Sequence, residues 1–305
     1  MKTTFRYLAA AFTVIAAVSC AKHEELGPQV EAPVGTYQYL LNVSHENDGT
    51  KTSLGEDGLS ILWSKEDQIG IACSDGKTYS EVEEAGGAQS IADAETYEPS
   101  TSASFAITLN EGYKPLAAVY PYFAAAKAAG GSNSGFKGLA CSAYIPEEQT
   151  GIKDNIPANA FAMIGKINSD NTCQMLNVGA VIKFEITTEH ITSLRFEGNN
   201  SEILSGARYY HTETGEWVKE TEASGKTFVT LVPSGVVFEK GVYYFVVGPN
   251  TLTDGFTITL TTVKGQTVSK STTSPFKIER NKKYTGFGSD EGWFSEIMTG
   301  AASNL

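Results

Sequence analysis

The stretch Val178-Gly179-Ala180-Val181-Ile182-Lys183-Phe184-Glu185-Ile186 decides the fold class. Ile182, Phe184 and Ile186 alternate with Lys183 and Glu185, which is the two-residue period of a β-strand. Downstream the pattern repeats at Ile191–Phe196, Phe228–Val232 and Val242–Val247. Phe256, Ile258 and Leu260 then alternate with Thr257, Thr259 and Thr261. Lys264-Gly265 centres the next run, Val263–Val268, as a hairpin cue, and Phe276 and Ile278 end the series. Upstream, Tyr37, Tyr39, Leu41 and Val43 alternate with Gln38 and Asn42. Leu59, Ile61 and Trp63 form another set, then Ile69–Cys73, then Phe105, Ile107 and Leu109. Leu116–Tyr122 is apolar until Pro121 stops it. Strands recurring every 10–15 residues between Gly, Asn, Asp and Pro predict an all-β protein made of sandwiches. One piece looks helix-like, the alanine-rich Phe123–Ala129 before Gly130-Gly131. The polar run 167–174, followed by Met175-Leu176, predicts a domain boundary, giving β-sandwiches over 36–175 and 176–305.

The N-terminus reads as an export signal. Lys2 and Arg6 precede an apolar stretch, Tyr7–Val18, that is too short to span a bilayer as a helix. Small residues and then Cys20 follow, which resembles a bacterial lipobox, although Ala17 stands where the usual box has Leu. Signal peptide 1–19 and lipidation of Cys20 are therefore expected, with outer-membrane attachment through the lipid. The alternative is an ordinary signal peptide cut after Ala17 or Ser19. Residues 20–35 are polar with two prolines and read as a tether. The acidic pair Glu24-Glu25 behind the cysteine resembles a surface-display signal.

The chain of 305 residues carries a formal charge of −12, which becomes −14 once Lys2 and Arg6 leave with the signal. An acidic chain with no basic stripe gives no support for nucleic-acid binding. The three later cysteines, Cys73, Cys141 and Cys173, have no metal-ligand spacing, and their disulfide state stays open.

No constellation for chemistry emerges, so no enzyme, cofactor or metal is expected. His23, His45, His190 and His211 lack the spacing of metal ligands. Gly130–Gly135 has no phosphate-loop Lys and opens no helix, so it reads as a loop. Acidic pairs such as Glu56-Asp57, Glu83-Glu84 and Glu147-Glu148 read as solvated turns. Tyr209, Tyr210 and Trp217 share one expected hairpin and could stack a sugar, or serve as core and cross-strand partners.

An ordered set of segments adds a resemblance. Thr50–Leu54, Leu59–Ser64 and Asp67–Ile71 come first, then Ala118–Tyr122, Ile145-Pro146 and Phe161–Met163. Val181–Phe184, Leu194–Asn199, Tyr243–Pro249 and Asp254–Ile258 complete the set, which covers most of 50–290. Together they resemble the fimbrillin family of Bacteroidetes. The resemblance implies two tandem transthyretin-like β-sandwiches, export as a lipoprotein, and assembly with other fimbrial subunits at the cell surface in adhesion. It also implies that an N-terminal strand is cut away and replaced by a neighbour's strand. The strand concerned would be Thr36–Val43, and the loop after it Ser44–Ser53. The family's oral prototype is cut after an arginine. This chain has no Arg between Cys20 and Arg195, so Lys51 is the expected cleavage position. Without the cut the chain would be an anchor, a tip subunit or a non-polymerising relative. The tail 289–305, with Trp293, Phe294, Ile297 and Met298, reads as a donor strand, as the last strand of the second sandwich, or as a loose tail. A monomeric surface lipoprotein binding glycan or a host protein is the second reading.

Overall fold

Alternating and continuous apolar runs here become strands that differ in how many faces they bury. The computed structural model describes residues 35–46, 62–76, 88–123, 128–130, 138–157, 160–218 and 225–293. The first ten strands are β1 (Thr36–His45), β2 (Gln68–Ser74), β3 (Ala88–Ile91), β4 (Ser102–Asn110), β5 (Lys114–Tyr120), β6 (Ala128–Gly130), β7 (Leu139–Ile145), β8 (Glu148–Gly151), β9 (Met163–Lys166) and β10 (Thr172–Asn177). The second ten are β11 (Ala180–Ile186), β12 (Ile191–Gly198), β13 (Gly206–His211), β14 (Phe228–Pro233), β15 (Gly241–Val247), β16 (Asn250–Leu252), β17 (Phe256–Thr262), β18 (Thr267–Thr272), β19 (Phe276–Ile278) and β20 (Lys283–Tyr284). The described fold is all-β, as the periodicity predicts.

Seven strands close a barrel in the order β1-β10-β9-β5-β2-β3-β4. A five-stranded sheet runs β18-β17-β12-β14-β8, and two three-stranded sheets run β15-β11-β20 and β13-β7-β6. A closed barrel leaves few free edges, which limits unwanted pairing. Gly165 is required where β9 meets its neighbour: a Cβ there would stand 2.4 Å from the Gln174 carbonyl oxygen.

The sheet β15-β11-β20 explains why VYYFVV is apolar without a break. Among the described residues there are two hydrophobic cores, and this sheet lies between them. One face gives Val181, Tyr244 and Val246 to the barrel core. The other gives Ile182, Phe184, Phe245 and Val247 to the second core, with Phe196, Leu231 and Leu260. Strands covered on both faces need apolar residues at both parities.

Gln149 seals this junction. It is fully buried, and its amide pairs with the Val246 backbone in both directions, Nε2 donating to O at 2.7 Å and Oε1 accepting from N at 3.0 Å. A buried amide needs such complete pairing to offset its desolvation.

Two expectations differ from the structure. Within the polar run 167–174, residues 167–171 form the turn between β9 and β10, and 172–174 already belong to β10. Asp170 accepts from the Thr172 amide at 3.2 Å and Asn171 takes φ 59°, which is hairpin chemistry. Position 175/176 consequently falls inside β10. The helix-like reading of Phe123–Ala129 also fails over its described residues. Ala128–Gly130 is a strand paired to β7, so pairing to a neighbour overrides alanine's helical preference.

Candidate functional site

The candidate site is the seat of β1. Along this strand Leu41 and Val43 are buried in the barrel core, and Tyr37 and Tyr39 pack against it. Gln38, Asn42 and Ser44 face outward and are exposed. This is the alternation read from sequence, with Leu40 half-buried on the outer face.

β1 pairs along both edges. It runs antiparallel to β4 over nine residue pairs, from Thr36↔Asn110 to Ser44↔Ser102. It runs parallel to β10 over four pairs, from Asn42↔Thr172 to His45↔Met175. β1 is thus the strand that joins β4 to β10, and without it the barrel has two edges.

The strand continues further than expected. Ser44, His45 and Glu46 belong to ordered backbone, not to an exposed loop. The Glu46 amide donates to the Met175 carbonyl at 3.0 Å, one step beyond the β1–β10 ladder. Its carboxylate meets Arg280 in a fork, with Nη2 2.7 Å from Oε2 and Nη1 3.1 Å from each oxygen. Both side chains are largely buried, at 15% and 11% exposure for Arg280 and Glu46. The Asn177 amide donates to Glu46 Oε1 at 2.6 Å, and Arg280 Nε donates to the Thr214 carbonyl at 2.9 Å. Paired, buried and hydrogen-bonded charges of this kind resist removal of either partner.

His45 lies flat on Trp63, with ring centroids 4.8 Å apart and 11° between planes. Neither imidazole nitrogen has a hydrogen-bond partner among the described residues, and burial pushes the His45 pKa down to about 4. Trp63, itself 1% exposed, is fixed by its amide on the Ser100 carbonyl at 2.7 Å and by edge contacts to Phe105 and Tyr120. Cys73, Cys141 and Cys173 are buried, and burial pushes each thiol up to about 12. Burial raises the Tyr39 hydroxyl as well, with Cys73 and Cys173 contributing from nearby.

Of the residues singled out in the sequence, Cys20, Lys51, Phe294, Ile297 and Met298 lie outside the described residues. Trp293 is 7% exposed and packs edge-on against Phe184 in the second core, centroids 5.7 Å apart. Just before it, the buried Asp290 accepts from the Thr187 amide at 2.6 Å, the Thr187 hydroxyl at 2.8 Å and the Thr188 amide at 3.2 Å. The three aromatic residues of the expected sugar platform do not share a surface. Tyr210 is fully buried, while Trp217 is half-buried with the Arg208 guanidinium 4.4 Å from its ring centroid. Trp217 does line a cleft of about 1000 Å³ with Asn250, Lys282 and Lys283. Among the described residues no group of three or more His, Cys, Asp or Glu is placed to hold a metal ion. Sequence reading missed Glu46 and Arg280, whose pairing spans 234 positions and leaves no local signal.

No protein-family profile matches the chain, and no curated protein does. Solved structures that align along most of it are candidate cell-adhesion and fimbrial proteins of Bacteroides and Porphyromonas. A candidate cell-adhesion protein of Bacteroides uniformis is 14% identical, with 81% of this chain and 92% of that one covered and a TM-score of 0.43. A tip fimbrial protein of Porphyromonas gingivalis, truncated at its C-terminus, is 10% identical over 82% and 93%, with a TM-score of 0.32. A fimbrial protein of Bacteroides vulgatus is 10% identical over 81% and 95%, with a TM-score of 0.29. Identity and score at these levels assign neither family nor role.

Proposed function

We propose that this chain is a non-enzymatic subunit of a surface fimbria, of the fimbrillin type, that assembles by exchanging strands with neighbouring subunits and contributes to adhesion. It is exported as a lipoprotein, held at the outer membrane through Cys20, and organised as two transthyretin-like sandwiches. Cleavage at Lys51 separates β1 and the lipid from the rest of the chain. A neighbour's segment then occupies the vacated groove. The observation that carries this reading is the double pairing of β1. Removing it bares the edges of β4 and β10 and the space filled by Leu41 and Val43. An apolar groove with two open edges is a template for one incoming strand. Head-to-tail insertion that does not close on itself yields a filament.

The neighbour's segment must fill the places of Leu41 and Val43. Of the residues expected in a donor tail, Trp293 lies in the second core of its own chain. The test is a lysine-specific cut of the full mature chain, followed by size-exclusion chromatography and mass measurement of the new N-terminus. Oligomers should form after the cut and be absent without it. A cut chain that loses β1 yet stays monomeric would overturn the reading.

Trp217, which lines its cleft, favours a second reading as a glycan-binding surface protein. Glycan-array binding lost in Trp217→Ala, with the thermal transition unchanged, would support it.

A further inference from the structure

We infer that Arg280 selects the strand seated in the β1 groove, so that any segment replacing β1 must present a carboxylate where Glu46 now stands. This rests on the strand-exchange reading and adds the chemistry of the partner. Three donors converge on that carboxylate, two from the Arg280 guanidinium and one from the Asn177 amide. Contacts outside β1 also hold them. The Thr214 carbonyl holds Arg280 Nε, and the Asn177 side chain donates to Asn281 Oδ1 at 2.6 Å. A neutral side chain in that place would leave a largely buried guanidinium without its counter-charge.

The same carboxylate sets register. The backbone amide of Glu46 is bonded to Met175, so the acid lies at a fixed step along β10. A slip of one residue moves it about 3.3 Å and turns the apolar residues outward. Hydrophobic alternation alone would tolerate a slip of two, whereas the acid does not. The fitting partner is therefore an extended segment with apolar residues at alternate places and an acidic residue just beyond them. Its acid contacts a turn that belongs to the second half of the chain, between β19 and β20.

The test uses the full mature chain with a unique protease site placed within residues 47–53, nicked and mixed with labelled peptides of residues 36–46. Competition gives the relative affinity of the wild-type, Glu46→Gln and Glu46→Lys peptides, none of which requires altering the folded body. The Glu46→Gln peptide should bind about 30-fold more weakly or worse, as expected when one partner of a buried charge pair is lost. Glu46→Lys should fail on the unaltered body and be preferred by an Arg280→Glu body. An Arg280→Gln body, which keeps the side chain's reach, should bind wild-type and Glu46→Gln peptides alike. Equal binding of all three peptides to the unaltered body would overturn acid selection and leave strand exchange standing. Failure of every peptide, wild-type included, would overturn both.

Discussion

His45 and Trp63 stack face to face across the two ends of the 47–61 segment, the last residue of β1 on a tryptophan one residue into the next described stretch. The imidazole is held neutral by its surroundings. Its pKa is about 4 in the folded chain against 6.5 in the open one. The unfolded chain therefore binds the proton more readily between those values. Stability from this residue is fully present above pH 6.5 and is lost as pH falls towards 4, by up to about 3 kcal/mol. Thermal melts across this range should show a steeper decline for the wild type than for His45→Phe. Parallel curves would show that His45 does not carry the dependence. Asp67, raised mainly by burial, contributes with the opposite sign at the acid end.

Gln149 offers a sharper test of packing. Replacing it with Leu strips the Val246 N–H and C=O of their amide partner inside the protein. Stranding buried polar groups costs about 1–3 kcal/mol each. Urea denaturation of Gln149→Leu should show a lowered midpoint. An unchanged midpoint would mean the amide's pairing contributes nothing net.

The three thiols report on the barrel. Buried and raised to about 12, they should resist a water-soluble thiol reagent in the intact chain. Once β1 has been displaced, Cys73 and Cys173, the two thiols that act electrostatically on Tyr39 of that strand, should react first. Mass spectrometry of labelled peptides reads the order. Labelling of the intact native chain at an equal rate would contradict the closed barrel.

Asp290 pins the last described turn. Asp290→Ala removes the acceptor shared by Thr187 and Thr188 and should cost about 1–3 kcal/mol. Limited proteolysis should then cut near Trp293 faster, since its burial depends on that anchor. Unaltered cutting would indicate that the contact with Phe184 suffices alone.

Strands with strict alternation were legible in the sequence. Phe105, Ile107 and Leu109 are all buried in β4, and the Lys264-Gly265 cue is the turn between β17 and β18, with Gly265 at φ 74°. β7 escaped notice because its interior is filled by small residues, Ala140, Cys141, Ser142 and Ala143, which carry no amphipathic signal. β8 escaped because Gln149 is a polar residue buried by a specific pairing. The turn at 168–171 mimicked a linker because hairpin turns and linkers draw on the same polar residues. For the site, β1 itself was readable from Tyr37, Tyr39, Leu41 and Val43. Its clamp was not, since no local pattern links Glu46 with Arg280.

One sheet with a core on each face has a mechanical consequence. Pull on the chain from its two ends, and neither core can open without tearing β11 from β15, which the other core also needs. The halves are thereby coupled into one cooperative unit, and calorimetry should show a single transition. Were the chain part of the proposed fibre, such a subunit under shear would yield all at once or not at all, with no half-open intermediate to stretch like a spring.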